Sequence, residues 1–412
     1  MKSLNLEWIR SQFPSITHEI NGQLRIFFDG PGGTQVPYSV IEAMSQYLIE
    51  SNANAHGAFA TSRRTDRLIS AAREAMADFL GCSPDEVIFG ANMTSLTLAF
   101  SRAFARQLQP GDEIVVTRLD HYANVSPWVA LEDQGIVIRQ VDFNPDDCTL
   151  DLTEMEQQIN ERTRLVAVGY ASNAVGTIND IATIVRLAHR VGAMVFVDAV
   201  HYAPHGPIDV GVLDCDFLVC SSYKFFGPHV GILYGKREHL ARLTPFKVQP
   251  APNSIPERWE TGTLNYEGLA GVVATIDYLT KLGNFVDASV PHRRAALVAA
   301  MTACQQYEQQ LSELLIDGLH QIPNVKVYGI TNLAQLAWRT PTVGITISGQ
   351  KPHHIAQRLG EFNIFTWHGN FYALGVTEKL GLENTGGLLR IGLVHYNNSD
   401  EIQQLLKTLR EC

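Results

Sequence analysis

The chain has 412 residues, a net charge of −10 at pH 7 and a mean hydropathy of −0.02, as expected for a large globular protein with room for two domains. The negative charge argues against nucleic acid or an anionic membrane as the main partner, and no apolar run predicts a membrane span or signal peptide. The six cysteines are sparse and form no CxxC pair, so we expect a protein of the reducing cytoplasm.

Short apolar runs alternate with amphipathic segments between about residues 85 and 240. The runs predict strands over residues 87–89, 113–117, 136–141, 165–170, 193–198, 217–220 and 230–234. Helical patterns lie between several of them, for example over residues 95–107 and 180–191. Near-continuous apolar strands separated by helices indicate an α/β fold, with a mostly parallel seven-stranded sheet between helices.

The alternation of predicted strands and helices changes after about residue 285. A long helix over residues 292–318 precedes a mixture of strands and helices, with strands over 325–328, 343–348 and 388–394 and a helix over 353–361. This pattern is typical of a smaller α+β domain. We therefore predict a large domain over residues 24–285 and a small domain formed by residues 1–23 and 286–412. The proline-rich segment 245–256 lacks a regular pattern and predicts a functional loop.

Two glycine-containing turns come early in the chain. Asp29-Gly-Pro-Gly-Gly33 matches neither a dinucleotide-binding nor a Walker motif, and it predicts a turn. The strand over 87–89 runs into Gly90-Ala-Asn-Met-Thr94, where a helix begins. Such a helix N-terminus offers free N–H groups and a favourable dipole to a phosphate. In the alternative interpretation, Thr94 or Ser95 simply caps the helix.

Polar residues also follow the strand over 193–198. Asp198 ends this strand, where a carboxylate is suited to pairing with a protonated pyridine nitrogen. Its alternatives are a helix N-cap and a structural ion pair. His201 and His205 have helical spacing, but Pro204 and the absence of a HExxH motif argue against a continuous helix and a metal site.

Lys224 lies in a turn between two apolar strands, a costly place for an ammonium group. Desolvation lowers the pKa of a lysine and makes its neutral amine available for a Schiff base. This pattern indicates pyridoxal phosphate. Arg390 interrupts the apolar run 388–394, where it either faces solvent or a carboxylate of the protein, or clamps a substrate carboxylate.

Together these segments resemble the class V aminotransferase family of fold-type I pyridoxal-phosphate enzymes, in particular its cysteine desulfurase-like branch. The resemblance covers nearly the whole chain, from Phe13 to Asn398. It implies a fold-type I transferase fold, with a large domain that binds pyridoxal 5′-phosphate and a smaller α+β C-terminal domain. It also implies that Lys224 forms the internal aldimine with this cofactor.

The resemblance assigns roles around the cofactor ring. Lys224, His121 and Asp198 form the implied catalytic set. By similarity, Asp198 pairs with the pyridine nitrogen, His121 stacks on the ring and His201 contacts the ring hydroxyl. Asn173 matches an asparagine near the ring oxygen and the substrate.

The cofactor phosphate and the substrate carboxylate have further implied partners. The phosphate contacts within the same chain come from Met93, Thr94, Ser221 and Tyr223. Thr263 matches a threonine that reaches the phosphate of the neighbouring subunit, which implies a homodimer. Arg390 matches the arginine that binds the substrate α-carboxylate, with Asn173 beside it.

The loop 366–373 departs from the pattern of the desulfurases. These enzymes carry a mobile-loop cysteine that becomes a persulfide, whereas this chain has Asn370 at the comparable position. An amide cannot act as that nucleophile. We therefore expect chemistry at the α-carbon of a small amino acid, by transamination, elimination or epimerisation. The alternatives are a cysteine desulfurase or C–S lyase and, from another class, a pyridoxal-phosphate-binding regulatory module.

Overall fold

The structure is a computed structural model that describes residues 4–20 and 22–411. Its helices are α1 (Leu6–Gln12), α2 (Tyr38–Glu50), α3 (Ala60–Leu80), α4 (Met93–Ala105), α5 (Ser126–Val129), α6 (Leu152–Gln158), α7 (Ile181–Arg190), α8 (Val210–Leu213), α9 (Arg237–Arg242), α10 (Tyr266–Val286), α11 (Arg293–His320), α12 (Pro352–Gly360), α13 (Leu374–Lys379) and α14 (Ser399–Arg410). Its strands are β1 (Glu19–Ile20), β2 (Gln23–Leu24), β3 (Ile26–Phe27), β4 (Val87–Gly90), β5 (Glu113–Thr117), β6 (Val137–Val141), β7 (Thr163–Gly169), β8 (Met194–Asp198), β9 (Phe217–Ser221), β10 (Gly231–Gly235), β11 (Val325–Tyr328), β12 (Thr342–Ile347), β13 (Ile364–Phe365), β14 (Trp367–Gly369) and β15 (Leu388–Gly392).

The central sheet has seven strands in the order β4-β10-β9-β8-β7-β5-β6. Strands β5 to β9 pair in parallel, whereas β10 is antiparallel to both of its neighbours. Both faces of the sheet are covered, because Val195 and Val197 of β8 pack into one hydrophobic core and Phe196 packs into the other. The predicted mostly parallel seven-stranded α/β fold is therefore confirmed.

The connection between β9 and β10 explains the antiparallel strand. Only a short turn joins them, whereas a parallel pair requires a crossover of a dozen residues or more. Lys224 lies in this turn, at the end of a three-residue helical turn over Ser222–Lys224. Helix α4 begins at Met93, two residues earlier than the pattern predicts. Every helix in the described part of the chain is too short or too polar to cross a bilayer.

A second sheet is formed by β11-β12-β15-β14, with all pairs antiparallel. Side chains from this sheet and from α11, α12 and α14 share a third hydrophobic core, as the α+β pattern predicts. The division into 24–285 and 1–23 plus 286–412 stays a prediction. Within these ranges, residues 1–3, 21 and 412 lie outside the described residues.

A buried ion pair fixes strand β4 to the segment that precedes α10. The two Nη atoms of Arg73 in α3 lie 3.0 and 2.9 Å from the carboxylate oxygens of Glu260. Glu260 also accepts the Phe89 N–H of β4 at 2.9 Å, and Arg73 donates to the Val87 carbonyl at 2.7 Å. Both charged residues are buried, so this pair holds in place the strand that leads into the turn at Met93.

We expect Arg73→Leu to lower the free energy of unfolding by about 3–5 kcal/mol, because Glu260 is left buried without its cation. Urea denaturation measures this change. The control is Arg73→Leu combined with Glu260→Gln, which removes the buried charge but keeps an acceptor for Phe89. This double variant should lose less stability than the single one, and an equal or larger loss would contradict the explanation.

Candidate active site

A cavity of about 450 Å³ lies where the strands of the central sheet end. Its wall brings together most of the predicted site residues: Met93, Thr94, His121, Asn173, Asp198, His201, Ser221, Tyr223, Lys224 and Arg390. Ligands of open α/β sheets bind beyond the carboxyl ends of the strands, as here. Thr263 does not line this cavity. It is exposed, in an irregular segment before α10.

Lys224 lies in the wall of the cavity, with its ammonium group donating a hydrogen bond to the Pro31 carbonyl. Burial, and next the nearby cation of Arg390, lower the pKa of Lys224 to about 7. The carboxylates of Asp198 and Asp29 partly oppose this effect. A substantial fraction of the amine is therefore neutral, and thus nucleophilic, near neutral pH.

Arg390 lies within β15 and is only 4% exposed. One Nη donates to the Asn173 carbonyl at 2.9 Å, and the guanidinium lies 4.0 Å from the centroid of the Phe371 ring. The Nε atom is buried without a hydrogen-bond partner, and burial lowers the Arg390 pKa to about 9. Arg390 therefore does not face solvent, which was one of the alternatives that the sequence allowed. Its unsatisfied Nε donor suits an anionic ligand.

Asp29 is a site neighbour that the sequence analysis identified only as part of a turn. The turn is present, over Gly30–Gly32, and Pro31 and Gly32 line the cavity. Burial raises the pKa of Asp29 to about 6, although its charge interacts favourably with Arg390 and Lys224. Its Oδ1 is buried without a partner. Asp29 therefore supplies a negative charge that interacts with the cations of Lys224 and Arg390.

Asp198 ends β8 and accepts the Val200 N–H at 2.9 Å. Burial raises the pKa of this carboxyl to about 7, and the neighbouring Asp120 adds to the effect. Asp120 itself is held by Thr117, Asn124 and the Gly169 N–H at 2.7 to 2.9 Å. Because Asp198 keeps more hydrogen-bonding capacity, it is the carboxyl that can share a proton with a ligand.

The turn before α4 has its own capping residue. Asn92 accepts the Ser95 N–H at 2.9 Å, so neither Thr94 nor Ser95 is the cap that the sequence left open. The Met93 N–H is accepted by Ser221 Oγ at 3.0 Å. This contact joins the two segments from which the phosphate contacts are predicted.

Two of the histidines that line the cavity, His121 and His201, are held as neutral rings. His121 Nδ1 accepts the Ala123 N–H at 3.0 Å, and burial, followed by the charges of Lys224 and Arg390, lowers its pKa to about 4. His201 Nε2 lies 3.1 Å from Thr340 Oγ1, and burial holds the His201 pKa well below its usual value. Neutral imidazoles are suited to stacking and hydrogen bonding.

The loop 366–373 closes one side of the cavity. Phe371 and Tyr372 both have left-handed backbones, with φ of 57° and 59°. The loop is tied down because the Asn173 side chain donates to the Phe371 carbonyl at 2.9 Å and the Tyr122 N–H to the Tyr372 carbonyl at 2.8 Å. Asn370 lines the cavity and accepts the Tyr372 N–H at 3.2 Å. Asn370 is distinguished in the sequence by its place in the loop, whereas no sequence pattern distinguishes the aromatic residues beside it.

The family model described as aminotransferase class-V matches residues 26–405 of the chain. The chain belongs to the class V aminotransferase family. A cysteine desulfurase of Pectobacterium atrosepticum is 29% identical over 99% of this chain and 98% of its own length. The aminotransferase-like protein FGM3 of Gibberella zeae is 32% identical, with the same coverage. The apo cysteine desulfurase of Thermococcus onnurineus NA1 superimposes with a TM-score of 0.88 at 27% identity, over 100% of this chain and 98% of its own.

Membership of the class V aminotransferase family makes the protein a pyridoxal-phosphate-dependent transferase or lyase with the fold-type I architecture. The predicted family, fold and cofactor are thus confirmed. The cavity residues fit the cofactor, because Asn173 Oδ1 and Arg390 Nε are buried there without partners. The low pKa of Lys224 and the raised pKa of Asp198 fit it as well.

We expect the cofactor-free protein to take up pyridoxal phosphate faster as pH rises from about 6 to 8, because Lys224 loses its proton over this range. The midpoint should rise in Arg390→Gln, which removes a cation that lowers the Lys224 pKa. It should fall in Asp29→Asn, which removes an anion that raises it. The rate at which the cofactor absorption band appears measures both. A midpoint near the ordinary lysine pKa of about 10.4 would contradict the assignment.

Proposed function

We propose that this class V aminotransferase family member acts at the α-carbon of an amino acid, with Lys224 as the group that moves the α-proton. The observation that carries the proposal is the Lys224 amine, with a pKa of about 7, in one cavity with a buried arginine. When bound, pyridoxal phosphate supplies an electron-accepting ring that stabilises negative charge at the α-carbon. An amine that titrates near neutrality is suited to accept and return a proton there.

The cavity wall supplies a binding partner for each part of the cofactor. We assign Asp198 to the ring nitrogen, His121 to the ring face, and His201 with Asn173 to the ring oxygen. The phosphate contacts are assigned to Met93, Thr94, Ser221 and Tyr223. The positive end of the α4 dipole supports this last assignment, as does the hydrogen bond between Met93 and Ser221.

Arg390 is assigned to the α-carboxylate of the substrate. Its Nη contact with the Asn173 carbonyl fixes the guanidinium, and its free Nε leaves a donor for an incoming anion. A carboxylate held by a guanidinium is restricted in rotation, which orients the α-carbon. Lys224 and Arg390 share the cavity, so the residue that binds and the residue that moves the proton act on the same small molecule.

Three reactions are possible after the α-proton is removed, and they differ in their products. Transamination needs a keto acid that accepts the amino group, β-elimination releases the β-substituent together with ammonia and a keto acid, and epimerisation changes only the configuration. A product panel with single amino acids distinguishes them. A second candidate is sulfur release from cysteine, favoured by the names of the relatives. Among the described residues no cysteine lines the cavity, which supports a C–S lyase over a persulfide-forming desulfurase.

We expect Lys224→Ala to lose at least about 10³-fold in kcat, because the protein loses the base at the α-carbon. Asn370→Ala should retain most activity, because no covalent step uses the amide. Borohydride reduction should fix the cofactor to the peptide that contains Lys224, as shown by mass spectrometry. Loss of activity in Asn370→Ala comparable to that of Lys224→Ala would contradict these roles. A colourless protein that takes up no cofactor would contradict the enzyme assignment, and a protein that binds the cofactor but turns over no amino acid would support the regulatory-module alternative.

We propose a homodimer in which Thr263 reaches the neighbouring phosphate site. Helix α2 carries an apolar stripe on its outer side, formed by Tyr38, Ile41, Leu48 and Ile49, which are 46% to 77% exposed. Such a stripe on a helix surface is a feature of protein interfaces. The exposed position of Thr263, away from the cavity of its own chain, supports a site shared between subunits. A reducing cytoplasm is also proposed, supported by the free thiols of the five described cysteines.

We expect Leu48→Glu combined with Ile49→Glu to shift the protein from dimer to monomer, because charges replace apolar side chains at the interface. Light scattering coupled to size-exclusion chromatography measures the mass. Cofactor affinity should fall together with the mass if Thr263 acts across subunits. The matched control is Val212→Glu in α8, a site that is 80% exposed and outside the stripe. An unchanged dimer in the double variant would exclude α2 as the interface.

A further inference from the structure

We propose that the substrate is an amino acid with an uncharged aromatic side chain, held between the rings of Trp367, Phe371 and Tyr372. The inference rests on the proposed function and names its substrate class. These three residues, which we call the aromatic mouth, all line the cavity. The sequence predicts a small amino acid as the substrate, whereas the aromatic mouth favours an amino acid with a larger side chain.

The aromatic mouth surrounds the arginine assigned to the carboxylate. The Phe371 ring centroid lies 4.0 Å from the Arg390 guanidinium carbon. Trp367 of β14 is the direct cross-strand partner of Arg390 in β15, and directly opposed residues project from the same face of a sheet. A substrate bound by its carboxylate to Arg390 therefore has two rings within reach of its side chain.

Two rings of the aromatic mouth, Trp367 and Tyr372, are presented to the cavity, whereas Phe371 lines the cavity and also packs against a hydrophobic core. Trp367 is 51% exposed and Tyr372 is 72% exposed, although both line the cavity. The Tyr372 ring stacks on His121, with centroids 5.3 Å apart and an interplanar angle of 26°. Gly32 leaves room for the indole, since a methyl group at Gly32 would overlap Trp367. Exposed rings beside a binding site stabilise a complex when a ligand covers them.

The backbone holds these rings in position. A left-handed conformation at a bulky residue is unfavourable by about 1–3 kcal/mol, and such residues cluster at ligand-binding sites. Phe371 and Tyr372 are two in succession. Each is tied by its carbonyl, Phe371 to the Asn173 side chain and Tyr372 to the Tyr122 N–H. The aromatic mouth is thus preorganised, which reduces the entropy lost when a ligand binds.

Apart from Arg390, which is assigned to the α-carboxylate, the charged side chains of the cavity wall lie outside the segment that forms the aromatic mouth. The charged side chains of the wall are Asp120, Asp198, Lys224 and Arg390. None of them belongs to the segment 367–372, whose other side chains are His368 and Asn370. With Arg390 bound to the α-carboxylate, the segment 367–372 supplies no further charged side chain to pair with a charged substrate side chain. A thiol or methyl group is too small to cover the rings, whereas an aromatic side chain buries about 150–250 Å².

The test compares amino acids on the cofactor-loaded enzyme. We expect L-phenylalanine or L-tyrosine to exceed L-alanine, L-cysteine and L-aspartate in kcat/KM by about ten-fold or more. Trp367→Ala should lower the ratio of kcat/KM for the aromatic substrate to kcat/KM for alanine by about ten-fold. Trp367→Phe should recover part of the loss. The matched control is Trp338→Ala, because Trp338 is 49% exposed and does not line the cavity.

Calorimetry gives a readout that does not depend on turnover. The loaded enzyme is titrated with 3-phenylpropanoate and with propanoate, which share a carboxylate and lack an amine. The phenyl compound should bind about ten-fold more tightly or better, and Trp367→Ala should remove this preference. Equal affinities, or alanine, cysteine or aspartate turned over as well as phenylalanine, would overturn the substrate class and leave the proposed function standing. Turnover of no amino acid would instead overturn the proposed function.

Discussion

The site depends on placing two cations, Lys224 and Arg390, in one desolvated cavity. Burial disfavours both charges and lowers the pKa of each, and the cation of Arg390 lowers the pKa of Lys224 further. The buried carboxyls Asp29 and Asp198 offset this effect, and their own pKa values are raised by the same burial. The result is four groups that titrate much nearer neutrality than they would in water. The Lys224 amine can therefore release and take back a proton near neutral pH.

The topology of the central sheet makes this arrangement attainable. Parallel strands β7, β8 and β9 end at the same edge, so Asp198 and the turn with Lys224 come together without long loops. The antiparallel return through β10 keeps that turn short and buried on both flanks. Arg390 arrives from the second sheet, so the cavity lies between the two sheets. Residues far apart in sequence thus share one low-dielectric site.

The sequence predicted those parts of the site that follow from strand ends. Lys224, Asp198 and Arg390 interrupt or end apolar runs, and such positions are visible in a hydrophobicity pattern. The seven strands were visible for the same reason, because burial on both faces makes them apolar throughout. The bounds moved by a residue or two, as for α4, where Asn92 and not Ser95 is the cap.

Other features left no such signal. Asp29 lies in a glycine-rich turn that resembles any other turn until the second sheet packs against it, as the bridge between Asp29 and Gly392 shows. The aromatic mouth depends on left-handed backbones at Phe371 and Tyr372, which residue type disfavours and tertiary hydrogen bonds impose. Thr263 differs from these residues, because the resemblance points it out in the sequence but a single chain cannot show its role. That implied role requires a second copy of the chain.

The loop 366–373 shows how chemistry and specificity are divided in this molecule. A loop that supplied the sulfur nucleophile would need a thiol at the position of Asn370. Here Asn370 carries no nucleophile, and its carbonyl and side chain accept the N–H groups of Ala373 and Tyr372. A loop so tied contributes shape instead of a reacting group. In the proposed function, bond breaking is then left to Lys224 and the cofactor, and in the proposed substrate class the choice of substrate depends on how its side chain fits the rings beside Arg390.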